Sequence, residues 1–534
     1  MGTTVLYLCP HQNASLHMIP MHSPLRPIML AGTGSDVGKS VIAAALCRIF
    51  LQDGYHPAPF KAQNMALNSF VTADGLELGR AQAVQAEAAG VPCHTDMNPL
   101  LLKPSGDSTS QVVLHGRPTG NQHASAYFRR EGRAELEREV HAAFDRLAAR
   151  YNPIVMEGAG SISELNLRDV DLVNLPMARY ADASVLLVAD IDRGGALASL
   201  VGTLELLTEE ERDLVKGLII NKFRGDVSLL QPAVDFLEEK TGKPVLGVVP
   251  HIENIGIDDE DSVSLEEKQA DKKERDIHIA VVRTPKISNF TDFDCLAGES
   301  DVSLYYVTDV NSLGSPDLIM LPGSKNTMED LLYLRDSGLE AAIQKAVTSG
   351  TPLIGICGGY QMLGREIRDP HHTESQHDRV KGMGFLEMAT EFSTEKLTSQ
   401  VEANCHSWSF LGTEISASGL KGYEIHMGET SFVGTDDFHP LTITRRAGKA
   451  CQVQEGTGRR DGLVFGTYIH GIFDHDGFRR MVINALRRKK GLKPLANTRN
   501  VYAEKQRSYD KLADIVRRSL DMDKLRSIMG LKTT

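Results

Sequence analysis

What the chain lacks narrows its class before any motif is read. Its seven cysteines, at 9, 47, 93, 295, 357, 405 and 451, contain no Cys-x-x-Cys pair. Neither a zinc framework nor a disulfide scaffold is therefore expected, and a reducing cytoplasm is the expected compartment. No apolar run reaches the ~18 residues that cross a bilayer. No basic-then-apolar leader heads the chain; residues 1–25, with several His and Pro, read as a loose extension in which Met18 or Met21 offers an alternative start. There is no positive excess either. A net charge of −12 argues against a general nucleic-acid binder and gives no reason to expect membrane attachment. What remains is an ordinary globular composition, 41% hydrophobic and 24% charged, in 534 residues, too long for one core.

The stretch Thr351 to Gly364 (TPLIGICGGYQMLG) carries the sharpest chemistry. Leu353, Ile354 and Ile356 read as a buried parallel strand ending at Cys357. Gly355, Gly358 and Gly359 then permit a tight turn into a helix, because a Cβ at those places would clash. Gly-x-Cys-x-Gly has the spacing of a nucleophile elbow with a thiol in the place of serine. Such a turn lifts sulfur clear of the sheet and aims backbone N–H donors at it. The alternative is a structural cysteine at a strand end. A Cys nucleophile needs a base distant in sequence and close in space. Two late strands end in histidine: Gly422 to Gly428 (GYEIHMG) and Gly466 to Asp474 (GTYIHGIFD). His470, followed by glycine, is the better base; His426 is left to contact ligand or to pack. The turn at Leu321 to Ser324 suits oxyanion donors near Gly323, with Gly358 opposite.

Upstream, a strand over 26–31 leads into Gly32-Thr33-Gly34-Ser35-Asp36-Val37-Gly38-Lys39-Ser40 and an apolar helix. Strand, glycine-rich loop and Gly-Lys-Ser opening a helix form a P-loop: backbone N–H groups cradle phosphates, Lys39 reaches the terminal phosphates, and the Ser40 hydroxyl takes Mg²⁺. The usual spacing would put glycine at 33, where Thr33 stands, so the loop is longer by one residue. Three further strands end in Glu157, in Asp190 followed by Asp192 and Arg193, and in Asn221, and ligands of parallel sheets bind beyond such ends. Glu157 is the candidate second metal ligand. Residues 131–150 predict a charged amphipathic helix, and Pro99 to Gly120 reads as loops around a short strand. The three histidines of 369–379 fit no metal motif and read as a surface loop. The run from Ile257 to Asp276 (DDEDSVSLEEKQADKKERD, from Asp258) reads as a linker. The alternation of strands and helices predicts two doubly wound α/β domains, over 26–256 and 277–490, with a helical tail at 491–534. That tail, and the basic helix from 477 that precedes it, read as a solvated covering.

Gly-Ile-Cys-Gly-Gly with a late Tyr-Ile-His-Gly resembles the class I glutamine amidotransferases. The N-terminal half resembles dethiobiotin synthetase, which shares the lengthened P-loop. Taken with Phe60 to Ser69 (FKAQNMALNS), Asp190 to Gly195 (DIDRGG), Asn221 to Asp226 (NKFRGD), Leu321 to Thr327 (LPGSKNT) and GYEIHMG, the chain resembles the cobyric acid synthase family over about residues 27–490. The resemblance implies amidation of the b, d, e and g carboxylates of adenosylcobyrinic acid a,c-diamide, with ATP, Mg²⁺ and glutamine and no nucleic-acid or membrane partner. It places Asn221 at the adenine edge and implies a Cys–His pair, since Ile472 stands where a triad would carry glutamate. Asp474 is the nearest acid, and the third member stays open. Lys61, Asn64, Lys103, Asp192 and Arg193 are candidates for gripping the polycarboxylate. Two other readings remain: cobyrinic acid a,c-diamide synthase, which carries an acidic segment where this chain has Gln63-Asn64-Met65, and a regulatory P-loop ATPase with a ligand-binding C-terminal half.

Overall fold

Strands buried on both faces must be covered by helices, and their near-continuous apolar runs pair in parallel. The computed structural model describes residues 23–104, 109–123, 133–253, 255–258, 274–432 and 438–531, and it contains two such sheets. The first holds β1 (Ile28–Gly32), β2 (Ala58–Phe60), β3 (Ile154–Glu157), β4 (Ser184–Asp190), β5 (Val215–Phe223) and β6 (Val245–Pro250) in the order β6-β5-β4-β1-β3-β2, all parallel. The chain leaves β1 toward β2 on one side and builds β4, β5 and β6 on the other. The turn after β1 therefore opens into the crevice where ligands of such sheets bind. The second sheet holds β7 (Ile277–Val282), β8 (Val302–Val307), β9 (Leu318–Leu321), β10 (Leu353–Ile356) and β11 (Val464–Thr467) in the order β8-β7-β9-β10-β11. All are parallel, with Thr457–Gly458 added antiparallel at the edge beside β11. Each sheet has its own large apolar core. This is the α/β pair that the alternation predicts.

Two antiparallel additions bring the halves together. A hairpin, Ser69–Val71 with Glu77–Gly79, projects from the first domain and runs directly into helix α2 (Arg80–Ala88). Val71 packs with Tyr423 and Ile425, which lie on the second of two long paired strands, Met388–Phe410 and Thr413–Phe432. The predicted helix of 131–150 is Arg133–Ala148, with Val140, Ala143, Phe144 and Leu147 on its buried stripe.

Three sequence expectations differ from the fold. Pro99 to Gly120 holds strands rather than loops: Leu100–Pro104 and Thr109–Leu114 pair antiparallel, and Arg117–His123 begins within it. Alternating Leu100, Leu102 and Val112 bury against Leu172, which outweighs the polar composition. The second difference is the tail. Helix Val501–Ser519 buries Tyr509, Leu512, Ala513 and Val516, an i, i+3, i+4, i+7 stripe, in the core of the first domain. Its charges fasten it there through Arg48–Asp510 at 2.8 Å and Arg517–Asp53 at 2.7 Å. The third is the basic helix Asp476–Lys489: Arg479 is wholly buried against Glu299, and Arg480 and Arg487 meet Asp301. Nearly all of the extension 1–25 (1–22) and most of the linker (259–273) lie outside the described residues. The described start of that linker is not a free connection: Asp258 is buried between Arg80 and Lys505, at 2.5 and 3.0 Å, and those two cations hold its carboxyl below the usual range against the cost of burial.

Candidate active site

The turn after β1 is shaped by its glycines. Gly38 has φ +95°, and a Cβ there would overlap Asn221 Nδ2, which donates to the Val37 carbonyl at 2.8 Å. Asn221 is buried at 6% exposure, so it holds the loop from behind. A Cβ on Gly32 would fall 2.7 Å from both Gly34 O and Lys39 Nζ. Thr33 donates its N–H to Val188 at 3.0 Å and bridges to Ser161, which absorbs the additional loop residue into the sheet edge. Asp36 takes a left-handed φ of 57° in the middle of the Gly34–Val37 turn. Lys39 Nζ folds back on the carbonyls of Gly34 (2.9 Å) and Gly160 (3.1 Å). Ser40 opens helix α1 (Lys39–Gln52), and its hydroxyl donates to Glu157 Oε1 at 2.8 Å.

Glu157, at the end of β3, is 1% exposed and gathers three donors: Ser40, Lys61 at 2.7 Å and Gln85 at 2.6 Å. Burial alone would raise its pKa; the Lys61 ammonium more than reverses this and keeps it ionised. Ser40 and Glu157 offer hard oxygen donors beside a phosphate cradle, a set that suits Mg²⁺. Both line a cleft of about 1440 Å³ with Lys61, Asn64, Asp192 and Arg193. Asn64 Nδ2 is held by Gln82, and Asp192 by Arg224 at 2.9 Å, while Arg193 is exposed. Lys103 does not lie in this cleft. It is buried near Cys357, on Glu77 and Ser69.

Cys357 follows β10 with φ 52°, ψ −109°, a strained left-handed turn of the kind a nucleophile elbow requires. It is 7% exposed. Gly355 and Gly359 are enforced by backbone: a Cβ on Gly355 would meet the Gly359 carbonyl at 2.6 Å. A Cβ on Gly358 would lie 2.8 Å from Ser324 N, and one on Gly323 3.3 Å from His470 Cε1, so both proposed oxyanion glycines, Cys357 and His470 share one small space. His470, at 0% exposure, directs Nδ1 at Asp292 Oδ2, 2.7 Å away, and lies beside Cys357, whose Sγ donates to the Ile425 carbonyl at 3.5 Å. Burial by itself would depress the imidazole; Asp292 and Cys357 overcome it and raise its pKa to about 10. The second Asp292 oxygen accepts from Gly471 N at 2.8 Å.

Asp292 is the residue that sequence reading missed. It lies 178 positions before His470, in the single helical turn Phe290–Phe293 well past the end of β7, and no motif in the sequence marks it. Asp474, the acid nearest in sequence, is not bonded to His470. Asn289 was missed too: its Nδ2 lies 3.4 Å from His470 Nε2, and its Oδ1 accepts from Ser69 N of the first-domain hairpin at 2.9 Å. Tyr423 stacks on His470 at 5.1 Å and donates to the Ser69 carbonyl. His426 packs flat on Tyr468 at 3.8 Å, donates from Nδ1 to the Gly428 carbonyl, and is held neutral, chiefly by burial, with its pKa down at about 4. Among the described residues, no group of three or more His, Cys, Asp or Glu side chains forms a metal cluster, and no helix is long and apolar enough to cross a membrane.

A P-loop sheet joined to a sheet bearing a buried Cys–His–Asp array defines a nucleotide-dependent glutamine amidotransferase. Family comparison agrees domain by domain: residues 28–265 match the CobQ/CobB/MinD/ParA nucleotide binding domain, and 278–478 the CobB/CobQ-like glutamine amidotransferase domain. Cobyric acid synthase from Phocaeicola vulgatus is 55% identical over 96% of this chain and 99% of its own. The enzymes of that name from Bacteroides fragilis and Moorella thermoacetica are 54% and 51% identical, each over 95% of this chain and 99% and 98% of their own. The chain belongs to the cobyric acid synthase family of glutamine-hydrolysing, amidating ligases.

Proposed function

We propose that the enzyme converts the b, d, e and g carboxylates of adenosylcobyrinic acid a,c-diamide to amides in the cytoplasm, using ATP, Mg²⁺ and glutamine. The observation that carries this reading is a shared wall. Thr291 and Asp474, which flank the Asp292–His470 pair, line the same 1440 Å³ cleft as Lys39 and Ser40. Cys357 itself opens on the small separate pocket, so ammonia released there reaches this cleft past the wall that holds Asp292 and His470.

At the P-loop, a substrate carboxylate oxygen attacks the γ-phosphorus of ATP, ADP leaves, and an acyl phosphate forms. Lys39 and the loop N–H groups stabilise the charge on the transferring group, which is most of what such catalysis needs. Ser40 and Glu157 are the residues that would hold Mg²⁺, whose chemistry there is charge neutralisation on the phosphates. At the second centre the Cys357 proton passes first to His470, whose cationic form Asp292 stabilises, and the sulfur then attacks the glutamine side-chain carbonyl. N–H groups near Gly323 and Gly358 hold the oxyanion. His470 then returns the proton to the departing nitrogen, and water later releases glutamate from the thioester. Ammonia attacks the acyl phosphate and expels phosphate.

Mass spectrometry of the corrinoid tests this directly, since each hydroxyl-to-amino replacement is counted in the mass, and four steps are expected. Cys357→Ala should end synthesis from glutamine and preserve it from ammonium salt, whereas Lys39→Ala should end both. Wild-type glutamine use by the Cys357 variant would sink the nucleophile assignment.

A further inference from the structure

Both reactive atoms of the thiol centre are engaged elsewhere. The nitrogen of His470 that could take the Cys357 proton is Nε2, since Nδ1 faces Asp292. Nε2 lies 3.4 Å from Asn289 Nδ2, while the Cys357 thiol donates to the Ile425 carbonyl at 3.5 Å. The Asn289 amide has no choice of orientation. Its Oδ1 accepts from the Ser69 backbone N–H at 2.9 Å, which leaves Nδ2, a donor only, toward the imidazole. Such a donor suits an unprotonated Nε2 and repels an Nε2–H, so it opposes the transfer that Asp292 promotes. Both engagements trace to one element. The hairpin of Ser69–Val71 and Glu77–Gly79 supplies Ser69, and its Val71 packs against Ile425 and Tyr423. The Tyr423 hydroxyl donates to the Ser69 carbonyl at 3.3 Å. The same hairpin runs into α2, where Gln85 donates to Glu157 at 2.6 Å beside the P-loop.

We propose that Asn289 is a positioning residue that keeps the Cys357 proton from His470 while Ser69 is seated, and that withdrawal of the hairpin releases it. The inference rests on Cys357 and His470 being the glutamine nucleophile and its base. Release needs only a small motion. Once the Ser69 N–H moves away, the Asn289 amide turns about its last side-chain bond and Oδ1 accepts from Nε2–H. The thiolate–imidazolium pair is then supported instead of opposed. The pull comes from the other end of the same segment. A cation on the phosphates of ATP draws the Glu157 carboxylate, to which Gln85 is bonded, so occupancy of the P-loop is carried through α2 to Ser69. Glutamine hydrolysis is thereby kept low until the phosphoryl donor is in place.

The test is glutaminase activity of the full chain without nucleotide. Asn289→Gly removes the amide at a left-handed φ of 53°, which glycine accepts without strain. Its nucleotide-free rate should rise about tenfold, the worth of one hydrogen bond, with the gain in kcat rather than KM. The ultraviolet absorbance of the thiolate, referenced to Cys357→Ala, should rise with it. Tyr423→Phe keeps the ring stacked on His470 and loosens the seat of Ser69, so a smaller rise of about threefold is expected. In the wild-type enzyme, ATP with Mg²⁺ should raise the rate by about the tenfold that Asn289→Gly gains without them, and should add little to that variant. A purely structural role for Asn289 predicts loss of activity, never gain. A nucleotide-free rate that falls or stays level in Asn289→Gly would overturn the hold; so would the absence of a rise in Tyr423→Phe, should the glycine variant fail to fold. A wild-type rate indifferent to ATP and Mg²⁺ would overturn the link to the P-loop. Absence of any glutamine hydrolysis by the wild-type enzyme, with synthesis from ammonium salt intact, would instead remove the nucleophile reading beneath it.

Discussion

Two strand-to-helix turns, Gly32–Ser40 and Gly355–Gly359, do opposite things with the same construction. Each follows a buried parallel strand, and each is bent by residues in the left-handed region: Asp36 and Gly38 in one, Cys357 in the other. Each also relies on a buried carboxylate nearby, Glu157 or Asp292. The first turn opens on a 1440 Å³ cleft, the second on about 30 Å³. A phosphate cradle must admit a nucleotide and a large polycarboxylate together, so its catalytic groups sit at the wall of a wide space. A thiol that forms a thioester gains from the reverse, because a closed site strengthens every charge interaction and limits stray water. The acids differ accordingly. Glu157 is ringed by separate donors, the Lys61 ammonium among them, whereas Asp292 spends both oxygens on fixing one histidine and the backbone after it.

Breaking the first turn gives the largest effect. Gly38→Ala forces a side chain onto Asn221 at a φ that alanine resists, and should cut synthesis from either nitrogen donor by about a thousandfold while glutaminase activity persists. Activity measured with both donors decides it; near-normal synthesis would show that the loop tolerates the shift. Next comes the acid of the second turn. Asp292→Asn should lower glutamine kcat by about a hundredfold, leaving ammonium-supported synthesis intact. The same change tests linkage. The fold raises the His470 pKa, so the stability it lends is complete below an ordinary histidine pKa of about 6.5 and drains away as pH rises toward about 10. Wild-type Tm should fall across that interval more steeply than that of the variant, and parallel curves would contradict the pairing.

Both turns were legible in the sequence because their chemistry is contiguous: glycine, lysine and serine, or glycine and cysteine, within a few residues of a strand end. The α/β alternation was legible for the same reason. Asp292 and Asn289 were not, since each acts through His470, which is distant in the chain and adjacent only after β7, β9, β10 and β11 assemble. The union of the halves was hidden likewise. Lys505 and Arg80 look like ordinary surface charges until the fold buries Asp258 between them. In the tail, Tyr509, Leu512, Ala513 and Val516 do carry a helical apolar period, but the basic residues around them masked it.

That stripe ties the stability of the first turn's domain to the far end of the chain. Leu512 is 1% exposed within the first-domain core, so Leu512→Ala should cost about 2–5 kcal/mol in denaturant unfolding. A solvated covering helix would lose under about 0.5 kcal/mol. The loss should fall on the transition of the nucleotide-binding half, which ligand protection by ATP can identify.

The smallest effect separates the two acids near His470. Asp474 is close in sequence, half-buried, and held above the usual carboxylate range, first by desolvation and partly by Asp258 and Asp292 nearby. Its surroundings also include Lys505 and Arg80, so it belongs electrostatically to the cluster joining the halves rather than to the imidazole. Asp474→Asn should therefore change glutamine kcat by no more than about threefold, against the hundredfold of Asp292→Asn, because the Nδ1 bond that orients His470 is untouched. Glutaminase rates of the two variants, measured side by side, decide between them. If Asp474→Asn were the more damaging, the histidine would be oriented from its own loop, and the contrast between an acid shared among several donors and an acid committed to a histidine would fail at its second member.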